Sequence, residues 1–136
     1  MNDKIEEKKN ATEISDIVAE IRPIEILHPK TEEPVGIRVT LLPISDPSLQ
    51  RLRRQIQDER NRQAAKGKFI KAEEQDDFSI RIATTAIQSW EWYNATFHGE
   101  QPTLNVKNVR RVCEELPWFL EQIDEAVGDV KAFFQN

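Results

Sequence analysis

Residues 73–97, EEQDDFSIRIATTAIQSWEWYNATF, carry the broadest apolar face in the chain, and the arrangement of everything else follows from how they are read. At the helical period Phe78, Ile82, Ala86, Trp90 and Tyr93 fall on one side, joined by Ile87 and Phe97. The spacing predicts one helix from about Glu73 to Phe97, ended by Gly99. Trp90 is then in phase with the core. Trp92, about 200° away around such a helix, is expected to be partly exposed. An exposed tryptophan is costly for a monomer and common in interfaces, so Trp92 is a candidate partner contact.

Upstream, Asp46-Pro47 reads as a helix start, with Asp46 capping free N–H groups and Pro47 at the first helical position. Leu49, Leu52 and Ile56 make a narrow apolar stripe. Arg51, Arg53, Arg54, Arg60 and Arg62 are expected to face outward, and Gly67 ends the helix. Further upstream, Ile24 and Ile26 alternate with polar neighbours, as do Val35, Ile37, Val39 and Leu41. The turn-rich His28-Pro29-Lys30-Thr31-Glu32-Glu33-Pro34 lies between them. This predicts a β-hairpin, with Gly36 marking a bulge and the ribbon needing cover from helices or another subunit. Residues 1–20 carry mixed charge and few apolar residues and are expected to form a mobile arm.

Downstream, Asn105 can cap a short third helix running to Cys113, with Leu104 stapling its start. Pro117 cannot continue that helix and starts a last one. Its stripe is Phe119, Leu120, Ile123, Ala126, Val127, Val130 and Phe134, running almost to residue 136. The expected fold is mainly α with a small N-terminal β-hairpin (α+β). It has about four helices, the second and last forming a core of Phe78, Ile82, Trp90, Phe119, Ile123 and Val127. The expected organisation is an arm at 1–20 and a single domain at 21–136, with the hairpin at 21–45 and the helical part at 46–136.

A chain of 136 residues fits one domain. Its balance of 38% hydrophobic to 32% charged residues is polar, so part of it is expected to stay unburied or to be buried only in an oligomer. No apolar run is long enough for a membrane span, and no apolar leader segment begins the chain. The lone Cys113 cannot form an internal disulfide and suits a reducing compartment. A net charge of −5 argues against nucleic acid as the main partner. The charge is polarised: residues 51–71 hold eight Lys or Arg against two acids, whereas 114–136 hold six acids against one Lys. These are either two solvated helix faces or a head-to-tail contact. In the second case Arg51 and Arg54 of one subunit meet Glu121, Asp124 and Glu125 of the next.

Catalytic and metal chemistry is not supported by the residues. His28 and His98, the two histidines, sit in predicted loops with no nucleophile or carboxylate placed by a motif. Cys113 has no Cys or His at ligand spacing and reads as a small core residue near Val109 and Val112. The pairs Asp76-Asp77 and Glu114-Glu115 diverge by about 100° on a helix and share no site. The glycines are isolated, so there is no phosphate loop. The last two helices could suggest a helix-turn-helix, but the recognition helix would carry Glu121, Asp124, Glu125 and Asp129, which repel phosphate. No enzymatic activity, metal or cofactor is expected.

The order Trp90, Phe97-His98-Gly99-Glu100, Leu104, Asn108, Glu115-Leu116-Pro117-Trp118-Phe119, Gln122-Ile123 and Asp129 to Phe133 resembles the tail assembly chaperones of long-tailed, lambda-like bacteriophages. The phrase His28-Pro29-x-Thr31-x-x-Pro34-x-Gly36 is similar to their N-terminal part. The resemblance covers most of 28–134. It implies a non-catalytic protein of the infected bacterial cytoplasm, absent from the finished virion. Such a protein binds the long, hydrophobic tape-measure protein and keeps it soluble, without nucleic acid or membrane, and functions as a homo-oligomer. In the family a ribosomal frameshift adds a C-terminal extension, and the longer product recruits tail-tube subunits. Ala132-Phe133-Phe134 can be encoded by a slippery heptamer, which fits the short form. The competing readings are a structural tail or head-completion protein retained in the virion, and a small DNA-binding regulator.

Overall fold

The computed structural model describes residues 11–134, so the first ten residues of the expected arm, and Gln135 and Asn136, lie outside the described residues. The elements in chain order are β1 (Arg22–Leu27), β2 (Pro34–Leu41), α1 (Pro47–Ala65), α2 (Ala72–Ala86), β3 (Ile87–Glu91), α3 (Val106–Glu115) and α4 (Pro117–Gly128). Single 3-10 turns at Ile14–Asp16 and Val130–Phe133 flank them. The fold is α+β. Four helices pack with a three-stranded antiparallel sheet ordered β1-β2-β3, so the expected hairpin is two-thirds of a larger sheet.

The third strand corrects the expected long helix. α2 stops at Ala86, where Ile87 turns to φ −73° and ψ 112°, and the next residues pair with β2 in the register Val39↔Trp90 and Arg38↔Glu91. The segment expected to be helical from 46 to 136 is therefore interrupted by a strand. The Leu42 N–H donates to the Ala86 carbonyl at 2.9 Å and pins the change-over. The physical reason is the sheet itself. β2 is buried at Ile37, Val39 and Leu41, and its second edge must be hydrogen-bonded. Residues 87–93 supply β-branched and aromatic side chains suited to a pleated surface.

Side-chain phase changes with the element. Residues two apart share a face on a strand, so Trp90 and Trp92 both turn inward. They are 9% and 7% exposed, with rings 5.5 Å apart at 85°. Trp92 is thus a core residue and not the exposed contact expected of it. Tyr93, expected on the core side, is half exposed. Its hydroxyl donates to Glu25 at 2.8 Å, and the Arg38 guanidinium lies over its ring.

The helices bury what the sequence supplies, with shifts in detail. Phe119, Ile123 and Val127 of α4 are fully buried, and the closest helix pairing is α2 with α4. On α2 the inward residues of the main core are Ile80, Ala83 and Ala86, while Ile82 is only partly buried. Phe78 is buried outside that cluster, under α1, where the Arg60 guanidinium lies 4.8 Å from its ring centre. Arg60 is therefore drawn inward rather than left facing solvent. The caps form as the sequence suggests. Asp46 accepts from Ser48 N–H at 3.0 Å, and Asn105 accepts from Asn108 N–H at 2.8 Å, each worth about 1 kcal/mol.

α4 ends at Gly128, short of the expected length, and a 3-10 turn buries Phe133 completely. Phe134, expected to extend the α4 stripe, is instead partly exposed. The Phe133 carbonyl accepts from Glu20 N–H at 2.9 Å, which ties the segment before β1 to the 3-10 turn after α4. α4 also holds the sheet directly: Leu27 N–H donates to Gln122 Oε1 and Gln122 Nε2 donates to the Leu27 carbonyl, both at 2.8 Å. One side-chain amide thereby satisfies both backbone groups of an edge-strand residue.

Gly36 sits at an irregularity in the β1–β2 ladder. Pairings Glu25↔Arg38 and Leu27↔Pro34 leave Val35, Gly36 and Ile37 opposite the single residue Ile26. Gly36 has φ +100°, and a Cβ there would stand 2.6 Å from the backbone carbon and oxygen of Asn94, whose N–H donates to Gly36. Both the backbone angle and the contact exclude a side chain. Gly36→Ala is expected to cost at least about 2 kcal/mol, combining left-handed strain with overpacking. Urea denaturation against the parent chain measures it, and an unchanged midpoint would mean that β2 and the turn after β3 do not meet this closely.

Candidate functional site

The two histidines and the cysteine are held in structural roles. His28 Nδ1 accepts from Lys30 N–H at 3.1 Å and Thr31 N–H at 3.3 Å, and its backbone pairs with Glu33 and Glu32, so the ring braces the β1–β2 turn. His98 has φ +51° in the tight turn at 97–100, and its Nε2 lies 2.6 Å from Glu115 Oε2. Sequence reasoning gave His98 no carboxylate partner, because 17 residues separate the two. The fold brings them together by placing the end of α3 beside the turn. Both side chains are about half exposed, and no nucleophile adjoins them, so the pair joins a loop to a helix. Among the described residues no group of three His, Cys, Asp or Glu could hold a metal. No helix among them is long and apolar enough to cross a membrane.

Cys113 is buried on α3 beside Val109 and Val112. Burial pushes its thiol up to about 12, with the Asp124 charge adding to the effect and Arg110 opposing it.

The charged residues expected to form one oligomer contact divide among different environments. Arg51 and Arg54 are exposed on α1, and Glu121 and Glu125 are exposed on α4. Asp124 departs from the expectation. It is half-buried in a shallow cleft with Arg53, Ser79 and Ile82, facing α2 of its own chain. Burial raises its carboxyl to about 6, and the Ser79 hydroxyl offsets this only in part. Several other charges are paired within the chain: Glu59 with Arg81 at 3.0 Å, Asp77 with Arg110 at 2.8 Å and Asp129 with Arg22 at 3.8 Å. Of these acids only Asp129 belongs to the expected acidic face; Glu59 is an acid within the basic segment, and Asp77 and Arg110 lie outside both.

What the fold leaves uncovered is elsewhere. The α1–α2 loop, residues 66–71, carries Phe69 at 94% exposure among Lys66, Lys68 and Lys71. The segment before β1 exposes Ile14, Ile17, Val18 and Ile21. With Phe134 it encloses a cleft of about 300 Å³ rimmed by Glu13, Asp16 and Glu20. The Ser15 hydroxyl and N–H donate to Glu13 and hold its carboxyl below its ordinary range. The third uncovered feature is the outer edge of β3, which pairs only with β2 and exposes Gln88 and Ser89. Phe69 and Phe134 were absent from the expected contact set. Phe69 had a legible signal, an aromatic among lysines beside a helix-ending glycine. No family model, curated protein or solved structure matches this chain.

Two measurements check these environments. Cys113 is expected to resist a thiol-specific reagent at pH 8 in the folded chain and to react on addition of denaturant; prompt native reaction would place it at the surface. For Asp124 the folded-state value lies above the ordinary 3.8. Between about 4 and 6 the folded chain therefore holds a proton that the unfolded chain releases, and stability falls as pH rises through that window. Asp124→Asn should flatten this dependence and raise Tm at pH 7. A Tm lowered by the substitution would show that the ionised carboxylate is favoured in the folded chain.

Proposed function

We propose that this protein is a tail assembly chaperone of a long-tailed bacteriophage, acting in the host cytoplasm and not retained in the virion. It binds an apolar stretch of the tape-measure protein and holds it in solution until tube subunits assemble around it. The motif order over residues 90–134 supplies the partner. The observation that carries the contact is the free outer edge of β3, a strand bonded on one side only among the described residues. An extended client segment can add there as a fourth strand, taking up backbone groups that otherwise face water. With Trp92 buried, the exposed aromatic next to β3 is Tyr93, which lies across the sheet face over Arg38 toward Glu25 and leaves the outer edge itself uncovered.

The rest of the chain supports a role in contact rather than catalysis. Its histidines brace loops, its thiol is buried, and its uncovered features include a strand edge, an acid-rimmed cleft and a lysine-flanked phenylalanine. This chain is the short product in this reading. A longer frameshift product, extended beyond Phe134, carries the tube-recruiting segment while sharing the folded domain.

Co-expression with the tape-measure protein encoded beside it should raise the soluble yield of that protein several-fold. The double substitution Gln88→Lys with Ser89→Lys tests the edge, because charged side chains at exposed positions of an edge strand oppose the addition of another strand. That variant should fold and lose the solubilising effect. A tape-measure protein as insoluble with the chaperone as without it sinks the assignment, and recovery of the chain from purified virions would make it a structural tail protein instead.

A further inference from the structure

We propose that the outer edge of β3 selects the segment it pairs with by charge, taking an extended stretch in which a Lys or Arg stands next to an apolar residue, with Glu91 as the residue that recognises the cation. This rests on the strand addition proposed above and specifies the chemistry of what is added. The observation behind it is a row of charges across the sheet. Glu25 of β1 pairs with Arg38 of β2, and Arg38 pairs with Glu91 of β3. The signs alternate, and the row ends on a carboxylate at the open edge.

The cation in the middle does not serve the two acids equally. Arg38 Nη2 lies 3.0 Å from Glu25 Oε1, and Arg38 Nε donates to the same oxygen at 3.1 Å. The other Glu25 oxygen accepts from the Tyr93 hydroxyl at 2.8 Å. Glu91 meets Arg38 only at 3.7 Å, too far for a hydrogen bond, and its side chain is 65% exposed. One acid of the row is satisfied within the sheet and the other is left to water. A strand added beside β3 lies about 4.8 Å away and brings the side chain paired with Glu91 within reach of its carboxylate. A Lys or Arg there continues the alternation, whereas an Asp or Glu stands against like charge. Successive residues turn to opposite faces, so the neighbours of that cation face the side of Trp90 and Trp92, which suits apolar residues.

The same contacts distinguish the two edges of the sheet. At the β1 edge Gln122 holds both backbone groups of Leu27, and Glu25 has its partners. At the β3 edge the Trp92 carbonyl is taken by Gln101 Nε2 at 2.5 Å, so the run open to an added strand ends at Glu91. The acid that lacks a close partner is therefore also the last residue of that run.

Backbone-amide NMR of the full chain tests this with two peptides, acetyl-Thr-Val-Lys-Val-Thr-amide and its counterpart with Glu in place of Lys, whose palindromic order suits either strand direction. The Lys peptide is expected to shift the amides of residues 88–91. It should bind roughly three- to tenfold more tightly than the Glu peptide at low salt, the preference shrinking as salt is raised. Glu91→Gln should abolish the preference and Glu91→Lys should invert it, while the amide spectrum of each variant reports that the fold is kept. Glu125→Gln removes the same charge from an exposed position on α4 and should leave the preference in place. Equal binding of the two peptides at β3, or a preference that survives Glu91→Gln or disappears in Glu125→Gln, overturns the charge selection and leaves strand addition standing. An absence of shifts at β3 with either peptide overturns strand addition at this edge and the selection with it.

Discussion

The structure depends on β2 being a central strand. Ile37, Val39 and Leu41 turn one face of it into the core, where backbone groups left unpaired would cost more than most single contacts return. β1 covers one edge through the 28–33 turn. The other edge needs a second strand, and residues 87–91 supply it. α2 ends where it does because continuing it would leave β2 half-bonded, and pairing Trp90 opposite Val39 outweighs a few more turns of helix. Gly36 belongs to the same constraint: a side chain there would push β2 away from the backbone of Asn94.

Around that strand the helices act as cover and clamp. α4 does both, sinking Phe119, Ile123 and Val127 into the core while Gln122 holds both backbone groups of Leu27. The outer face of the sheet is fastened more loosely. Arg38 reaches Glu25 at 3.0 Å and Glu91 at 3.7 Å across three strands, in positions open enough to water that each pair contributes little. Rigidity thus comes from the buried side, and the solvent-facing side of the sheet and the β3 edge remain accessible.

The surface has a corresponding logic. Of the groups expected to be interaction partners, Trp92 is wholly and Asp124 partly absorbed by the fold, while Arg51, Arg54, Glu121 and Glu125 stay exposed. Other uncovered features are a phenylalanine at a helix turn, a mixed polar and apolar cleft between the segment before β1 and Phe134, and the outer edge of β3. None of them has the converging polar groups of a catalytic pocket. All three present apolar or backbone surface to water.

The sequence by itself determined whatever local chemistry decides. Asp46-Pro47 and Asn105 started helices because a side-chain oxygen next to free N–H groups needs no tertiary partner. Pro117 broke the chain between α3 and α4 because it has no N–H to continue with. Alternation at 35–41 gave a strand, and Ile123 and Val127 faced inward because a 3.6-residue stripe has one side to bury. Tertiary structure decided residues 87–93, where a helical stripe and a strand alternation coexist in the same letters and only the vacant edge of β2 selects between them. That choice placed Trp92 in the core and Tyr93 outside. It also decided Asp124, since a helix wheel assigns a side but not which neighbour lies against it. The uncovered apolar residues followed the same rule: Phe69, Ile17, Val18 and Phe134 are ordinary apolar residues in sequence, and only the packing of the folded chain leaves them exposed.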